Sequence, residues 1–458
     1  MKNRFLQSTF AIALLAALPV TAIVAQSSSR AAAQPSADQF KEFEEFLAVY
    51  KRVKTSYVDK VEDKQLMEGA IQGMLASLDP HSGFLNKSDF NNLQTQIDGE
   101  YGGLGLSVTL EDEAVKVIAP TKDTPADKAG IKSGDYITHL DGKLIYGGTL
   151  DEAVEAMRGV PGTSIKLTII RPGRDAPFDV SVTRAIIDLK PVKWEVKDRI
   201  GIISVTGFSE DTGADVVAAL SGVKKALGGK PLGYILDLRS NPGGILDEAV
   251  AVSDAFLDSG EIVSERGRDK RDIQRYWAES AVPGDAAGGL PVIVLVDAGS
   301  ASASEIVAGA LQDHHRGLVM GERSFGKGSV QNVLPLTRDT GLRLTVARYH
   351  LPSGRSVQEG GIKPDIQVPQ LSDPDYKKRV AIRETDLRRH LVNEVQANDK
   401  ELEQDIADDP RFAMTADQLK AKGIEDFQLH YAMETLSRLG SKTMKLAGKP
   451  TVKAKAQN

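Results

Sequence analysis

Four nearly continuous apolar runs at 200–205, 233–238, 292–296 and 318–320, broken only by Ser204 and Asp237 near the ends of the first two, alternate with helical segments near 211–220, 246–257 and 302–312. A strand that is apolar along its whole length is buried on both faces, and the helices between such strands supply the cover. The alternation therefore predicts a largely parallel α/β core. Ligands of such sheets lie beyond the carboxyl ends of the strands, which directs attention to the loops at 239–244 and 298–304.

The pattern differs on either side of this core. From 104 to 187 short strand-like runs at 104–110, 115–118, 136–140, 165–170 and 178–182 surround one helix at 150–157, a compact domain of mixed β and α structure. Ahead of it, Phe40, Phe43, Phe46, Leu47, Tyr50 and Val53 recur at three- and four-residue spacing. Leu66, Ile71, Met74, Leu75 and Leu78 repeat that pattern up to Asp79-Pro80, so two amphipathic helices are expected, with a third short one over 90–97. Helical periodicity returns at 375–395 and 424–439. A chain of 458 residues has room for about three domains of ordinary size.

Lys2 and Arg4 precede an apolar run over 10–24 and then Ala25, the order of an export signal, and 1–25 is read as one. The run is shorter than the ~20 residues of a spanning helix, so a soluble exported protein is expected after its removal, with an uncleaved, membrane-associated anchor as the alternative. Residues 26–37 read as a flexible linker and 448–458 as a flexible tail. Lys and Arg number 57 against 63 Asp and Glu, a net charge of −6 with no basic footprint for nucleic acid. With no cysteine in the chain, disulfides, thiolate metal sites and a cysteine nucleophile are excluded. Neither metal nor cofactor is expected.

Two motifs carry chemistry. In Asp297-Ala-Gly-Ser-Ala-Ser-Ala-Ser-Glu305, three serines occupy a strand-to-helix turn. Ser302 followed three residues later by Glu305 matches a capping box, which needs no catalysis. A hydroxyl at a helix N-terminus also lies beside free amides and the positive end of the dipole, which suits a nucleophile and its oxyanion. A histidine base is hard to supply, because His314 and His315 lie at the far end of that helix, roughly 18 Å along its axis. Lys327, in Gly321-Glu-Arg-Ser-Phe-Gly-Lys-Gly-Ser329, fits the spacing of a phosphate-binding loop. However, Gly328 replaces the magnesium-binding Ser or Thr, and a strand follows where that loop needs a helix. Lys327 could equally be a solvated surface lysine. Alternatively, Phe325 and Val330 could form a dry wall that lowers its pKa into the range of a general base.

Gly299-Ser-Ala-Ser-Ala-Ser-Glu-Ile306 and Ser324-Phe-Gly-Lys-Gly-Ser-Val-Gln331 resemble the signatures of the carboxy-terminal processing (tail-specific) serine proteases. Asp237-Leu-Arg-Ser-Asn-Pro-Gly-Gly244, Leu78-Asp-Pro-His-Ser82, Ser353-Gly-Arg-Ser356 and Gly361-Ile-Lys-Pro-Asp365 extend the likeness. The resemblance implies Ser302 as nucleophile, Lys327 as general base and Gln331 as its orienting partner. It also implies an oxyanion hole from the amides of Gly243 and Ala303, with Gly244 an alternative to Gly243. Gly102-Gly-Leu-Gly-Leu106, with Ala129-Gly-Ile131 and Gly134-Asp-Tyr-Ile137, resembles a PDZ domain rather than a dinucleotide fingerprint, which would need a third glycine. Such a domain would hold an apolar peptide C-terminus at Gly103, Leu104, Gly105 and Leu106, with Arg158 after its helix either sensing the occupied groove or simply capping the dipole.

The implied organisation is a crotonase/ClpP-like α/β protease core at 188–370, preceded by a PDZ domain at 99–187 and flanked by helical regions at 38–98 and 371–447. The implied setting is the periplasm or cell envelope, with protein or peptide substrates bearing apolar C-termini, an activator or adaptor protein, and self-association into a homo-oligomer. A proteolytically silent PDZ tether is the alternative, against which the intact Ser302, Lys327 and Gln331 argue.

Overall fold

The computed structural model describes residues 37–447, without 112–113, 146, 270, 272, 280–283, 380 and 393–411. The expected export signal and tail lie outside the described residues, as does all of the expected linker except Ala37.

The described residues up to Met67 form one unit and those from Glu68 onward another. In the first, helix α1 (Ala37–Ser56) turns into the start of α2 (Asp63–Ala76), where the Tyr50 hydroxyl donates to Asp63 at 2.7 Å and the Lys54 amine pairs with the same carboxylate. Phe43, Phe46, Leu47 and Val49 of α1 remain exposed.

In the second unit the apolar runs become one six-stranded sheet in the order β10-β11-β12-β15-β16-β19. Its strands are β10 (Val192–Lys197), β11 (Ile200–Val205), β12 (Gly233–Asp237), β15 (Val292–Val296), β16 (Gly317–Gly321) and β19 (Ile366–Gln367). All neighbours are parallel except β10 on β11. Helices α6 (Thr212–Ala226), α7 (Leu246–Asp254) and α8 (Ala303–Asp313) bring Val216, Val252 and Ile306 to one face, against Ile203, Leu236 and Val294. Ile202, Ile235 and Ile293, on the opposite face, pack with Leu419 of α9 (Ala416–Ala421) and with Phe427, Ala432 and Leu436 of α10 (Phe427–Ala447). Burial on both faces is why these runs lack the polar alternation of a half-exposed strand.

The expected helix over 375–395 does not form among its described residues, which hold only two 3-10 turns, Tyr376–Lys378 and Glu384–Asp386. Tertiary bonds override the periodicity: the Glu384 amide donates to Phe325 O, and its buried carboxylate accepts from Gln358.

A second, antiparallel sheet runs β1-β18-β13-β14, with β17 also on β18. It comprises β1 (Gly83–Leu85), β13 (Gly260–Gly267), β14 (Ile273–Ala278), β17 (Ser329–Pro335) and β18 (Gly341–His350). Only the strand near 329–334 was legible in the pattern. Pairing of Gly83 with Arg343 stitches the segment after α2 onto this sheet, and α3 (Lys87–Asp98) follows.

The PDZ-like unit is a sheet in the order β3-β4-β5-β7-β8, with β6 beside β5. Its elements are β3 (Leu106–Glu111), β4 (Ala114–Pro120), α4 (Pro125–Lys128), β5 (Tyr136–Leu140), β6 (Lys143–Leu144), α5 (Leu150–Met157), β7 (Ser164–Ile170) and β8 (Phe178–Thr183). Leu104, Val117, Ile137, Leu167 and Ile169 form its core. A short ribbon of β2 (Glu100–Gly103) and β9 (Ala185–Asp188) joins the ends of the unit. Buried Asp135 receives a forked pair of bonds from Arg171, at 2.6 and 2.8 Å.

Candidate active site

The three serines of the turn before α8 have different fates. Ser300 Oγ donates to Leu238 O at 2.8 Å and accepts from the Asp297 amide, while Ser304 Oγ donates to Asn241 O at 2.9 Å. Both are fully buried structural hydroxyls. Ser302 is 7% exposed and sits at φ +54°, a conformation that a residue with a Cβ adopts only when its surroundings impose it. Of the expected capping box the Glu305 half forms, its carboxylate accepting from the Ser302 amide, while the Glu305 amide donates to the Ser302 carbonyl and Ser302 Oγ makes no cap bond.

Glu305 does more than cap. Its carboxylate is fully buried, and one oxygen accepts from the amides of Ser302 (2.8 Å) and Lys327 (2.9 Å). The other accepts from Ser324 Oγ (2.6 Å) and the Gly326 amide (2.7 Å). A single side chain thus fastens the loop of Lys327 to the turn of Ser302, and the Phe325 amide adds a bond to Ser300 O. Burial pushes the Glu305 pKa up to about 7, while the four donors act to lower it.

The amine of Lys327 has no hydrogen bond or ion pair among the described residues. Burial drives its pKa down and nearby Arg343 adds to the effect, while Glu384, Glu305 and Asp79 pull the other way. The result favours the free amine, which a base requires. Buried Val330 and half-buried Phe325 flank it.

Gln331 lies on β17, and its amide nitrogen donates to Ser329 Oγ (2.9 Å) and Thr345 Oγ1 (3.2 Å). Its carbonyl oxygen carries no donor among the described residues. The Gly243 amide, at φ +103°, donates to Asn241 Oδ1 at 2.9 Å. A Cβ on Gly243 would meet Ala301 O, Ser302 Cβ and Ala303 N at 2.8 to 3.0 Å, so the loop lies directly on the serine turn. Asn241 fixes that contact, its carbonyl accepting from the Ala301 amide and Ser304 Oγ. The amides of Ala303 and Gly244 have no partner among the described residues.

Sequence reasoning missed the wall of this site. Asp79 accepts from the amides of His81 and Ser82 and from Thr345 Oγ1, the hydroxyl that also meets Gln331. His81 Nε2 lies 2.9 Å from both oxygens of Glu384; Gln358 bonds that carboxylate and also accepts from the Gly328 amide beside Lys327. The Asp79-Pro-His-Ser motif was visible, but its destination was not.

In the PDZ-like unit, the carbonyls of Leu104 and Gly105 are taken by the Ala126 and Thr121 amides. Their own amides have no partner among the described residues, as a carboxylate-binding loop requires. Gly103 closes β2 and Leu106 opens β3 on either side. Arg158 caps α5, reaches Asn92 Oδ1 on α3 at 2.8 Å and lies over the Tyr101 ring at 5.1 Å.

Among the described residues no helix is long and apolar enough to cross a membrane. Residues 199–368 match the family model "Peptidase family S41", residues 102–182 a PDZ domain, and residues 9–89 the "Activating protease CtpB N-terminal domain". A carboxy-terminal-processing protease of Bartonella bacilliformis is 48% identical over 363 residues, 79% of this chain and 83% of that one. The carboxy-terminal processing protease CtpA of Bacillus subtilis is 34% identical over 371 residues, covering 80% and 77% of the two chains. Among solved structures, the photosystem II D1 C-terminal processing protease aligns at 29% identity over 73% of this chain and 94% of its own, with a TM-score of 0.42. With nearly half of the 363 aligned residues shared with the Bartonella protein along most of both chains, this protein belongs to the carboxy-terminal processing serine proteases of peptidase family S41 and carries a PDZ domain.

Proposed function

We propose that Ser302 and Lys327 form the catalytic dyad of an endopeptidase that acts on exported proteins after the PDZ domain has taken hold of their apolar C-termini. The observation that carries this reading is the single Glu305 oxygen bound by the amides of both residues. Free Lys327 takes the Ser302 proton as Oγ attacks the peptide carbonyl, and the proton passes on to the leaving amine. Water then releases the acyl-enzyme by the same route. Gln331 orients the amine through its unoccupied carbonyl oxygen. The Ala303 amide holds the oxyanion together with that of Gly243, once the latter leaves Asn241.

That Asn241 bond supports a resting enzyme whose oxyanion hole is incomplete, and with it the need for an activator or adaptor. Tail binding at Gly103, Leu104, Gly105 and Leu106 reaches the core through Arg158, whose support is its bridge from the end of α5 to Asn92. The exposed apolar residues of α1 support self-association. The N-terminal charge and apolar pattern supports export to the periplasm or cell envelope. The domain limits 38–98, 99–187, 188–370 and 371–447 complete the proposal.

The test uses protein beginning after residue 25, incubated with an unfolded protein ending in an apolar tail, and follows cleavage by mass spectrometry. Cleavage is expected from the parent, and none from Ser302→Ala or Lys327→Ala. Undiminished cleavage by either variant would overturn the dyad. Gln331→Ala should turn over more slowly with its fold intact, and equal rates would remove Gln331 from the site.

A further inference from the structure

The C-terminal helix α10 lies beyond the segment matched by the protease family, yet its first residues reach both catalytic loops. Arg239 opens the loop that carries Gly243 and Gly244, and its guanidinium is spent on two carboxylates. It forks onto Asp237 at 2.9 and 2.7 Å, and onto Asp426 at 2.9 and 2.8 Å. A fifth bond, 3.1 Å long, goes to Gln428 Oε1. Asp426 is also the cap of α10, accepting from the Leu429 amide at 3.0 Å, and is braced by Gln370 Nε2 at 2.9 Å. Gln428, 1% exposed, donates to Glu322 at 3.1 Å and to Val368 O at 2.9 Å. Glu322 is the first residue after β16 and opens the loop that ends in Lys327. Asp426, the cap, and Gln428, the second residue of the helix, therefore grip the bases of the oxyanion loop and of the lysine loop. These loops leave β12 and β16, which are separated in the sheet by β15, the strand that leads to Ser302.

Stability alone does not call for this arrangement. Arg239 already has a bidentate partner in Asp237, two residues away, and α10 already has its apolar anchors in Phe427, Ala432 and Leu436. The second fork adds a fixed direction for the Arg239 side chain, and through its backbone for the loop that follows. We propose that Asp426 and Gln428 are positioning residues, through which docked α10 sets the register of the oxyanion amides against Ser302 and Lys327. This rests on the dyad reading above.

The test compares full chains carrying Asp426→Asn or Gln428→Leu with Val223→Ala, which opens a cavity in the core under α6 and touches neither loop. Asparagine keeps the helix cap and removes the charge. Reactive serines are counted with a fluorophosphonate, so that kcat refers to folded sites alone. Displacing reacting groups by about 1 Å costs up to ~100-fold, so Asp426→Asn should lose roughly 10- to 100-fold in kcat with KM unchanged. Val223→Ala should lose thermal stability but keep its kcat. Hydrogen exchange at 239–244 should quicken in Asp426→Asn and not in Val223→Ala. Unchanged kcat per titrated serine in Asp426→Asn, or an equal loss in Val223→Ala, would overturn the proposal. A parent that cleaves nothing yet reacts with the fluorophosphonate is the latent enzyme described above, whereas one that does neither overturns the dyad reading; unchanged exchange at 239–244 in Asp426→Asn would overturn the positioning role by itself.

Discussion

Replacing Glu305 by glutamine tests the join between the turn of Ser302 and the loop of Lys327, and the cost can be worked from its four bonds. An amide offers one acceptor atom where the carboxylate offers two. With the amide oxygen kept toward the Ser302 and Lys327 amides, the new NH2 faces Ser324 Oγ and the Gly326 N–H. The hydroxyl can turn to accept, but the Gly326 N–H is left buried and unpaired, a loss of about 1–3 kcal/mol. The flipped amide would strand two N–H groups and is worse. Set against this is the pH dependence of the parent. Its Glu305 pKa rises from the ordinary 4.5 to about 7, so between those values the folded state holds a proton that the unfolded state has released. The stabilisation is complete below pH 4.5 and lost as pH rises through about 7, a change of about 3 kcal/mol that glutamine cannot show. Urea midpoints of both proteins at several pH values from about 4.5 to 8.5 should give a steeper decline for the parent. Identical slopes would refute the argument, and an unchanged kcat in the variant would show that the join does not hold Lys327 in place.

Further outcomes follow from single residues. In Gly243→Ala the new Cβ would press on Ala301 O and Ser302 Cβ at 2.8 and 2.9 Å, from a backbone at φ +103°. Peptidase turnover should fall about 100-fold with the far-UV spectrum retained, and a variant as fast as the parent would release this loop from the site. Lys327→Met replaces an amine whose charge is disfavoured by burial, so inactivity should come with about 1 kcal/mol of added stability in thermal melts. For the parent, kcat/KM should rise with pH through the lowered Lys327 pKa, because only the free amine accepts a proton; a flat profile would count against the lysine base. Asp135→Asn leaves the Arg171 guanidinium without its carboxylate and should cost the PDZ domain about 2–3 kcal/mol, read as weaker tail binding. Despite burial, the Arg171 bonds hold Asp135 below the ordinary 3.8, so this stabilisation is present above that value and disappears as pH falls through the lower folded pKa.

Legibility followed the range of the interactions. Continuous apolar runs located the central strands, and helix periodicity found the 150–157 segment that is α5. Polar punctuation with half-exposed strands hid most of the second sheet, whose residues answer to neighbours far along the chain. Glu305 shows the limit clearly. Its capping partner is three positions away and visible, whereas its bonds to Ser324, Gly326 and Lys327 span 19 to 22 positions and depend on the fold. The segment near 384 failed as a helix for the same reason, since its carboxylate serves His81 and Gln358 instead of a helix surface.

The pairing of His81 with Glu384 joins positions 303 apart in the chain, and Thr345 meets Asp79 across 266. A ribosome delivers the Asp79 segment early, the serine turn much later and Glu384 later still. Contacts of such separation form slowly, after local structure is in place. The wall around the lysine therefore closes only when nearly the whole chain has emerged, and a nascent or truncated chain has the serine proposed as nucleophile without the surroundings described here.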